Sequence, residues 1–250
     1  MNYLNGKVAF VSGGSRGIGA AASLSLARLG AKVAVIYVRQ ADAAQALVDR
    51  IREAGGEAEP VQADVRDPEQ VKAAVARVQA TLGDIDIVVN NAHMSFAMKP
   101  LTAMQWEEFA QKMNDELKVA FTLTNAVLPS MMARNYGRII YISSDAADVA
   151  LPYMAAHGTA KGALNAFAKY VALEGAPYGI TANVVSPGLV RTEASSVTPE
   201  AVKQQIAAMT PLQRIAEPDD IAGAIAFLAS EESRFVTGTC MHVNGGLYMD

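Results

Sequence analysis

An α/β protein is expected, a single domain over residues 1–250 with a doubly wound parallel sheet of about seven strands and helices on both faces. Three observations carry this. Short β-branched runs alternate with longer runs of helical period almost to the end of the chain. The short runs are apolar at consecutive positions, as strands covered on both faces must be, and such alternation implies a parallel sheet between helix layers. No linker, internal repeat or low-complexity segment divides the chain.

Residues 7–12 form the first expected strand, and the periodic run 17–29 the helix after it. A strand at 32–38 and a helix at 42–54 follow, then a third strand at 58–63. Asp67-Pro68-Glu69-Gln70 opens the helix 68–82 with a side-chain cap, a proline where no N–H is needed, and an amide at the third helical position. Strand 85–90 leads into a long helix, 104–135, and strand 137–143 into the helix 159–176. Strand 181–186, helix 218–229 and strand 239–243 complete the pattern. Between them, 189–214 lacks a clear strand and reads as a loop-and-helix substrate lid, with Thr198-Pro199-Glu200 repeating the capping device.

The composition is 51% hydrophobic and 18% charged, far from a disordered chain. A net charge of −4 without a long basic block excludes the usual nucleic-acid binder. The most apolar stretches, 33–38 and 85–89, fall far short of the ~20 residues that cross a bilayer, so no membrane partner is expected. Met1-Asn2-Tyr3-Leu4-Asn5-Gly6-Lys7 lacks the regions of a secretion signal. Cys240 is the only cysteine, which rules out an internal disulfide and makes a reducing, cytoplasmic compartment the expectation. Neither Cys240 nor His93, His157 and His242 shows metal-ligand spacing, and no metal is expected. His242 and Cys240 read as structural, and Met131-Met132 as core.

The first strand runs into Ser12-Gly13-Gly14-Ser15-Arg16-Gly17-Ile18-Gly19 and at once into a helix. Glycines there let the backbone approach a pyrophosphate, whose charge sits on the N–H groups of the helix start. The Gly-x3-Gly-x-Gly spacing differs from the usual dinucleotide fingerprint, and any tight turn uses glycine; its place after the first strand favours a Rossmann-like cofactor site. An NAD site would want an acid near the end of the second strand, where this chain reads Tyr37-Val38-Arg39-Gln40. Arg16 and Arg39 suit a ribose 2′-phosphate instead, the alternative being two solvated surface arginines. NADP(H) is the expected cofactor.

The chain resembles the short-chain dehydrogenase/reductase family over essentially its whole length, and within it the 3-oxoacyl-acyl-carrier-protein reductases. The resemblance rests on the turn 13–19, Asp64-Val65, Asn90-Asn91-Ala92, Ser143-Ser144, Lys161 and Asn183-Val184-Val185-Ser186-Pro187-Gly188. It rests also on Pro211-Leu212-Gln213-Arg214, Val236-Thr237-Gly238-Thr239 and His242-Val243-Asn244-Gly245-Gly246. It implies a cofactor site of Gly13, Ser15, Arg16, Gly17, Ile18, Gly19 and Arg39, with Asp64 and Val65 flanking the adenine. Asn91 and Ala92 would line the cofactor, Lys161 would join them, and Pro187, Gly188, Val190 and Thr192 would bracket the nicotinamide. It further implies a β-ketoacyl or polyketide-like substrate, as a small molecule or an acyl thioester on an acyl carrier protein. Arg134 and Arg138 are the expected carrier patch. The helix 159–176 has an apolar face (Ala160, Ala163, Leu164, Phe167, Ala168, Val171, Ala172) wider than one sheet contact needs. Members of the family commonly tetramerise through that helix and its neighbour 104–135, so the resemblance implies a homo-tetramer, or a hetero-oligomer if the chain is an inactive subunit.

The expected catalytic residues depart from the family's pattern. Its Tyr-x-x-x-Lys is here His157-Gly158-Thr159-Ala160-Lys161, thirteen residues after Ser144. Its active-site asparagine falls on Glu116, with Asn114 two residues away, and the glycine of Asn-Asn-Ala-Gly is His93. Lys161 should disfavour a charged imidazole, while a carboxylate at Glu116 would favour one. Three readings of Ser144, His157, Lys161 and Glu116 stay open: an NADPH ketoreductase with His157 as proton donor; a non-redox dehydratase, isomerase or cyclase using His157 and Glu116; and an inactive subunit of a hetero-oligomer. Tyr153 is a substitute phenol if its loop folds inward, and His93 a residue lining or crowding the pocket.

Overall fold

The computed structural model describes residues 3–249. Among them one sheet of seven parallel strands forms, comprising β1 (Val8–Ser12), β2 (Lys32–Tyr37), β3 (Ala58–Gln62), β4 (Ile85–Asn90), β5 (Gly137–Ile142), β6 (Ile180–Pro187) and β7 (Cys240–Val243). Their order is β3-β2-β1-β4-β5-β6-β7. The helices are α1 (Gly17–Arg28), α2 (Ala41–Glu53), α3 (Pro68–Thr81), α4 (Trp106–Arg134), α5 (Ala155–Gly175), α6 (Glu200–Met209) and α7 (Pro218–Ala229).

Alternation along each strand sends side chains to both faces. Val8 and Phe10 of β1 join Val71, Leu123 and Leu164 of α3, α4 and α5 in one core. Ala9 and Val11 join Leu26, Leu47 and Ile225 of α1, α2 and α7 in the other. This is why the strands read as continuous apolar runs. The chain leaves β1 for β2 on one side and returns as β4 on the other, so a crevice opens outside the carboxyl ends of β1 and β4, the usual ligand position in such sheets.

Two differences from the expected elements stand out. α5 begins at Ala155, not 159, which places His157 inside the helix. Its first turn has no side-chain cap, so the start carries no local signal. Asp67 caps α3 by accepting from the N–H groups of Glu69 and Gln70, but Thr198 does not cap α6, whose N-cap is Pro199 without a side-chain bond. The flap holds α6 and is stitched at its base, where Arg191 N–H donates to Ala216 O at 2.8 Å and Ala216 N–H to Leu189 O at 3.0 Å. No helix among the described residues is long and apolar enough to cross a membrane.

Arg134 and Arg138 do not form the expected carrier patch. Arg138 is buried near the start of β5, at the end of the sheet opposite the crevice, paired with Glu231 at 3.0 Å and stacked on Tyr136. Arg134 donates to Asp86 at 2.7 Å and to Ile85 O at 2.6 Å. Both guanidinium groups are held in the fold.

Candidate active site and cofactor cleft

The turn after β1 is shaped by close backbone approach. Gly13 and Gly17 have φ of +60° and +51°, in the left-handed region that favours glycine. A Cβ on Gly19 would lie 2.1 Å from Gly13 O and 2.6 Å from Asn91 Nδ2, so no other residue fits there. Asn91 donates from Nδ2 to both Ser12 O and Gly13 O at 3.1 Å, and Ser12 Oγ accepts from the N–H groups of Asn91 and Ala92. The ends of β1 and β4 are thus locked together around the turn. Arg16 precedes α1 without capping it by its side chain, which leaves the first N–H groups of the helix to an anion. This cradle fits a pyrophosphate.

Around it the structure places most of the expected cofactor residues. Arg16 and Arg39 are exposed, Ser15 and Ile18 half-buried in the turn. Asp64 takes a bidentate bond from Arg66, which with Arg39 nearby holds its carboxyl below the usual range, and Val65 is buried beside it. Pro187, Gly188 and Val190 lead from β6 back toward the turn, and Thr192 Cγ2 would touch a Cβ on Gly17 at 3.2 Å. The start of the flap therefore closes over the glycine turn.

The catalytic candidates come from three elements. Ser144 follows β5 and its Oγ accepts from Ala146 N–H at 3.3 Å, capping the single 3-10 turn Asp145–Ala147. α5 lies on that turn so closely that a Cβ on Gly158 would sit 2.4 Å from Ala146 O. This contact brings His157 and Lys161, one helical turn apart, to the end of β5. From α4, Glu116 reaches across. Its Oε1 accepts from Lys161 Nζ at 2.5 Å, while Lys161 also donates to Ile142 O at 2.7 Å. Asn114, the other candidate on α4, points to solvent.

Sequence reasoning missed Lys112. One turn before Glu116 and 1% exposed, it donates to Glu116 Oε2 at 2.6 Å and to Met94 O at 2.9 Å. Glu116 is therefore shared between two ammonium groups and does not meet His157. Burial alone would raise its pKa, but Lys161 and Lys112 outweigh that and hold it at about 2. Burial lowers Lys112. His157 is pushed down to about 3, first by burial and then by Lys161 and Lys112, with Glu116 opposing weakly. The expectation that Glu116 would make the imidazole a cation is thus corrected: two lysines stand against one carboxylate, and the ring is neutral. Burial and the same lysines lower His93.

Phe96 stacks on His157 with centroids 4.5 Å apart, walling one ring face. His157 Nδ1 is buried without a hydrogen-bond partner, which leaves Nε2 for the cleft. Next to two cations the buried nitrogen is better as a lone pair than as an N–H, so the proton belongs on Nε2. Tyr153 does not fold inward: it is 56% exposed with φ +65°. Ser144 makes no hydrogen bond to His157 among the described residues, and its hydroxyl stays half-exposed at the same strand end.

Residues 13–248 match the family described as enoyl-(acyl carrier protein) reductase. The chain is 37% identical over 249 residues to the 3-oxoacyl-[acyl-carrier-protein] reductase FabG of Escherichia coli (strain K12), covering 100% of both. The chain belongs to the short-chain dehydrogenase/reductase family. The FabG of Staphylococcus aureus is 35% identical over 243 residues, covering 97% of this chain and 98% of the relative. Among solved structures, a dehydrogenase/reductase from Sinorhizobium meliloti 1021 superposes with a TM-score of 0.90 at 35% identity, covering 98% of this chain and 96% of that one. A blue fluorescent protein from a metagenomic library, solved with NADPH, gives 0.91 at 38% identity, covering 99% and 100%. The short-chain dehydrogenase/reductase fold therefore extends over the whole described chain, flap included.

Proposed function

We propose that this protein is an NADPH-dependent carbonyl reductase of β-ketoacyl thioesters, with His157 as a neutral hydrogen-bond and proton donor. The full-length similarity to the FabG reductases and the NADPH named with the metagenomic protein support substrate class and cofactor. Arg16 and Arg39, exposed beside the glycine turn, meet the 2′-phosphate; the helix start and Gly13–Gly19 backbone hold the pyrophosphate. Lys161 uses two of its three donors on Glu116 and Ile142 O, and the third is left for a ribose hydroxyl. When bound, the cofactor supplies the hydride.

The arrangement that carries the reading is the buried His157, stacked on Phe96 and close enough to the Lys112–Glu116–Lys161 cluster for burial and the two lysines to hold its pKa down to about 3. The substrate carbonyl oxygen accepts from His157 Nε2–H and from Ser144 Oγ–H as negative charge develops on it. The field that makes imidazolium costly also makes loss of a proton from the neutral ring easier, because Lys112 and Lys161 stabilise any negative charge on it. A neutral histidine of lowered pKa polarising a carbonyl is the arrangement known in triosephosphate isomerase. Assembly as a homo-tetramer, with an acyl carrier protein delivering the thioester, belongs to the same proposal.

The test follows oxidation of NADPH and of NADH with a β-ketoacyl thioester, comparing wild type, His157→Phe and His157→Tyr. NADPH turnover by wild type, falling roughly 100-fold or more in His157→Phe, is the expected result. A silent wild type beside an active His157→Tyr would overturn it, leaving a reductase scaffold diverted to other chemistry.

A further inference from the structure

Away from His157 and Glu116, on the edge of the sheet, three potential metal ligands of different chemistry converge. Cys240 and His242 are two apart on β7 and so share one face of the strand. Asp148, at the end of the 3-10 turn that follows Ser144, comes over that face. Cys240 Sγ, a ring nitrogen of His242 and a carboxylate oxygen of Asp148 all lie within 4.8 Å of one another. His242 Nε2 stands 3.9 Å from Asp148 Oδ2.

A second observation sets the cluster apart from an ordinary ion pair. The other ring nitrogen, Nδ1, lies 3.1 Å from Oδ1 of Asp145. Asp145 is 3% exposed and its Oδ1 also accepts from Ser186 Oγ at 3.3 Å, while its Oδ2 is buried without a hydrogen-bond partner. A buried carboxylate on one nitrogen of a histidine fixes the tautomer and turns the other nitrogen's lone pair outward, the usual support of a metal-bound imidazole. Here Nε2 is the nitrogen on the Asp148 side. The ligand atoms need a shift of about 1 Å to reach coordination distances.

We propose that Cys240, His242 and Asp148 bind one divalent zinc-type cation, oriented by Asp145. A thiolate, an imidazole and a carboxylate select a borderline metal such as zinc over magnesium or calcium, and three protein ligands leave a fourth position for water. Binding removes the proton from the Cys240 thiol and passes it to the buffer. The cation clamps β7 to the segment 145–148, and so steadies the turn that carries Ser144 and supports α5. None of this depends on the redox reading of His157.

Cobalt(II), a spectroscopic stand-in for zinc, tests the site on the full-length, untagged protein. One cobalt per chain is expected, with a thiolate-to-metal charge-transfer band that zinc displaces. Cys240→Ser abolishes the band. His242→Ala and Asp148→Ala each weaken binding, and Asp145→Asn weakens it roughly 10–100-fold while keeping the band. Calorimetry in buffers of different ionisation enthalpy should report proton release. Absence of the band in wild type, or cobalt binding unchanged in both Cys240→Ser and His242→Ala, overturns the site. Cys240 and His242 are only partly buried, so the variants should fold, and circular dichroism checks that they do.

Discussion

His157 stands in the field of two buried ammonium groups, and its behaviour with pH follows from that. An unfolded chain protonates this ring near ~6.5, the folded one only near about 3. Between those values the unfolded state holds the extra proton, so stability rises with pH through the window and is fully present above it. Glu116 behaves similarly at lower pH: held at about 2 by the lysines, it adds stability above the ordinary carboxylate range that is lost as pH falls toward 2. From roughly pH 5 to 7 the slope in urea midpoints should therefore come from His157 together with His93, which burial and the same lysines also lower, and His157→Phe should reduce it while leaving the His93 share. In proton–carbon spectra over the same range, the His157 ring should show no titration. A second prediction concerns Glu116. Replacing it by Gln leaves Lys112 and Lys161 facing each other uncompensated, which costs about 3–5 kcal/mol in urea unfolding. Adding Lys112→Met should recover part of that, because one buried charge then stands where there were two. An unchanged Glu116→Gln would mean that the lysines shed their protons instead.

At the scale of elements, the β1–α1 turn is where sequence and structure agree most closely, because everything that shapes it is local. Gly19→Ala should weaken NADPH binding at least about tenfold, since its Cβ would strike both Gly13 O and the amide of Asn91 that braces the turn. Gly223→Ala is the matching control. Nothing lies within 4 Å of a Cβ there, so the change should stabilise α7 by about 0.5–1 kcal/mol and leave cofactor binding alone. Fluorescence titration with NADPH and thermal melts separate the two. Other elements were less legible for physical reasons. The true start of α5 carries no cap and holds Gly158, whose reason is the packing on Ala146 O rather than helix propensity. Thr198 has the residues of a cap but not the geometry. Lys112 reads as surface, because lysine is almost never buried unpaired; its partner's other ligand, Lys161, lies 45 residues beyond Glu116. The site's charge balance thus depends on how α4 meets α5, which periodicity does not report. His242 shows the same limit, since its neighbours Asp145 and Asp148 lie nearly a hundred residues earlier.

For the molecule as a whole, alternation of strand and helix was enough to anticipate the parallel sheet, but not which helix faces stay uncovered. α4 and α5 pack on each other and on the sheet, yet their outer surfaces keep Phe121 60%, Tyr170 66% and Leu173 72% exposed. Phe121 also lies 6.5 Å from Phe167, which ties it to the core beneath. A groove of about 590 Å³ runs beside Gly162, Lys169, Tyr170 and Leu173 on the same helix. A second copy covering these apolar side chains on two neighbouring helices would return their surface to a buried state. Sedimentation velocity should find a tetramer for wild type. The paired substitution Phe121→Lys and Leu173→Lys should reduce it to smaller species, because two ammonium groups per chain would be buried at a self-facing surface without partners. Since Lys112, Glu116 and Lys161 already close their ion cluster within one chain, the His157 ring should stay untitrated even when the subunits are separated. A monomeric wild type, or a tetramer indifferent to both lysines, would show that the outer faces of α4 and α5 do not join subunits.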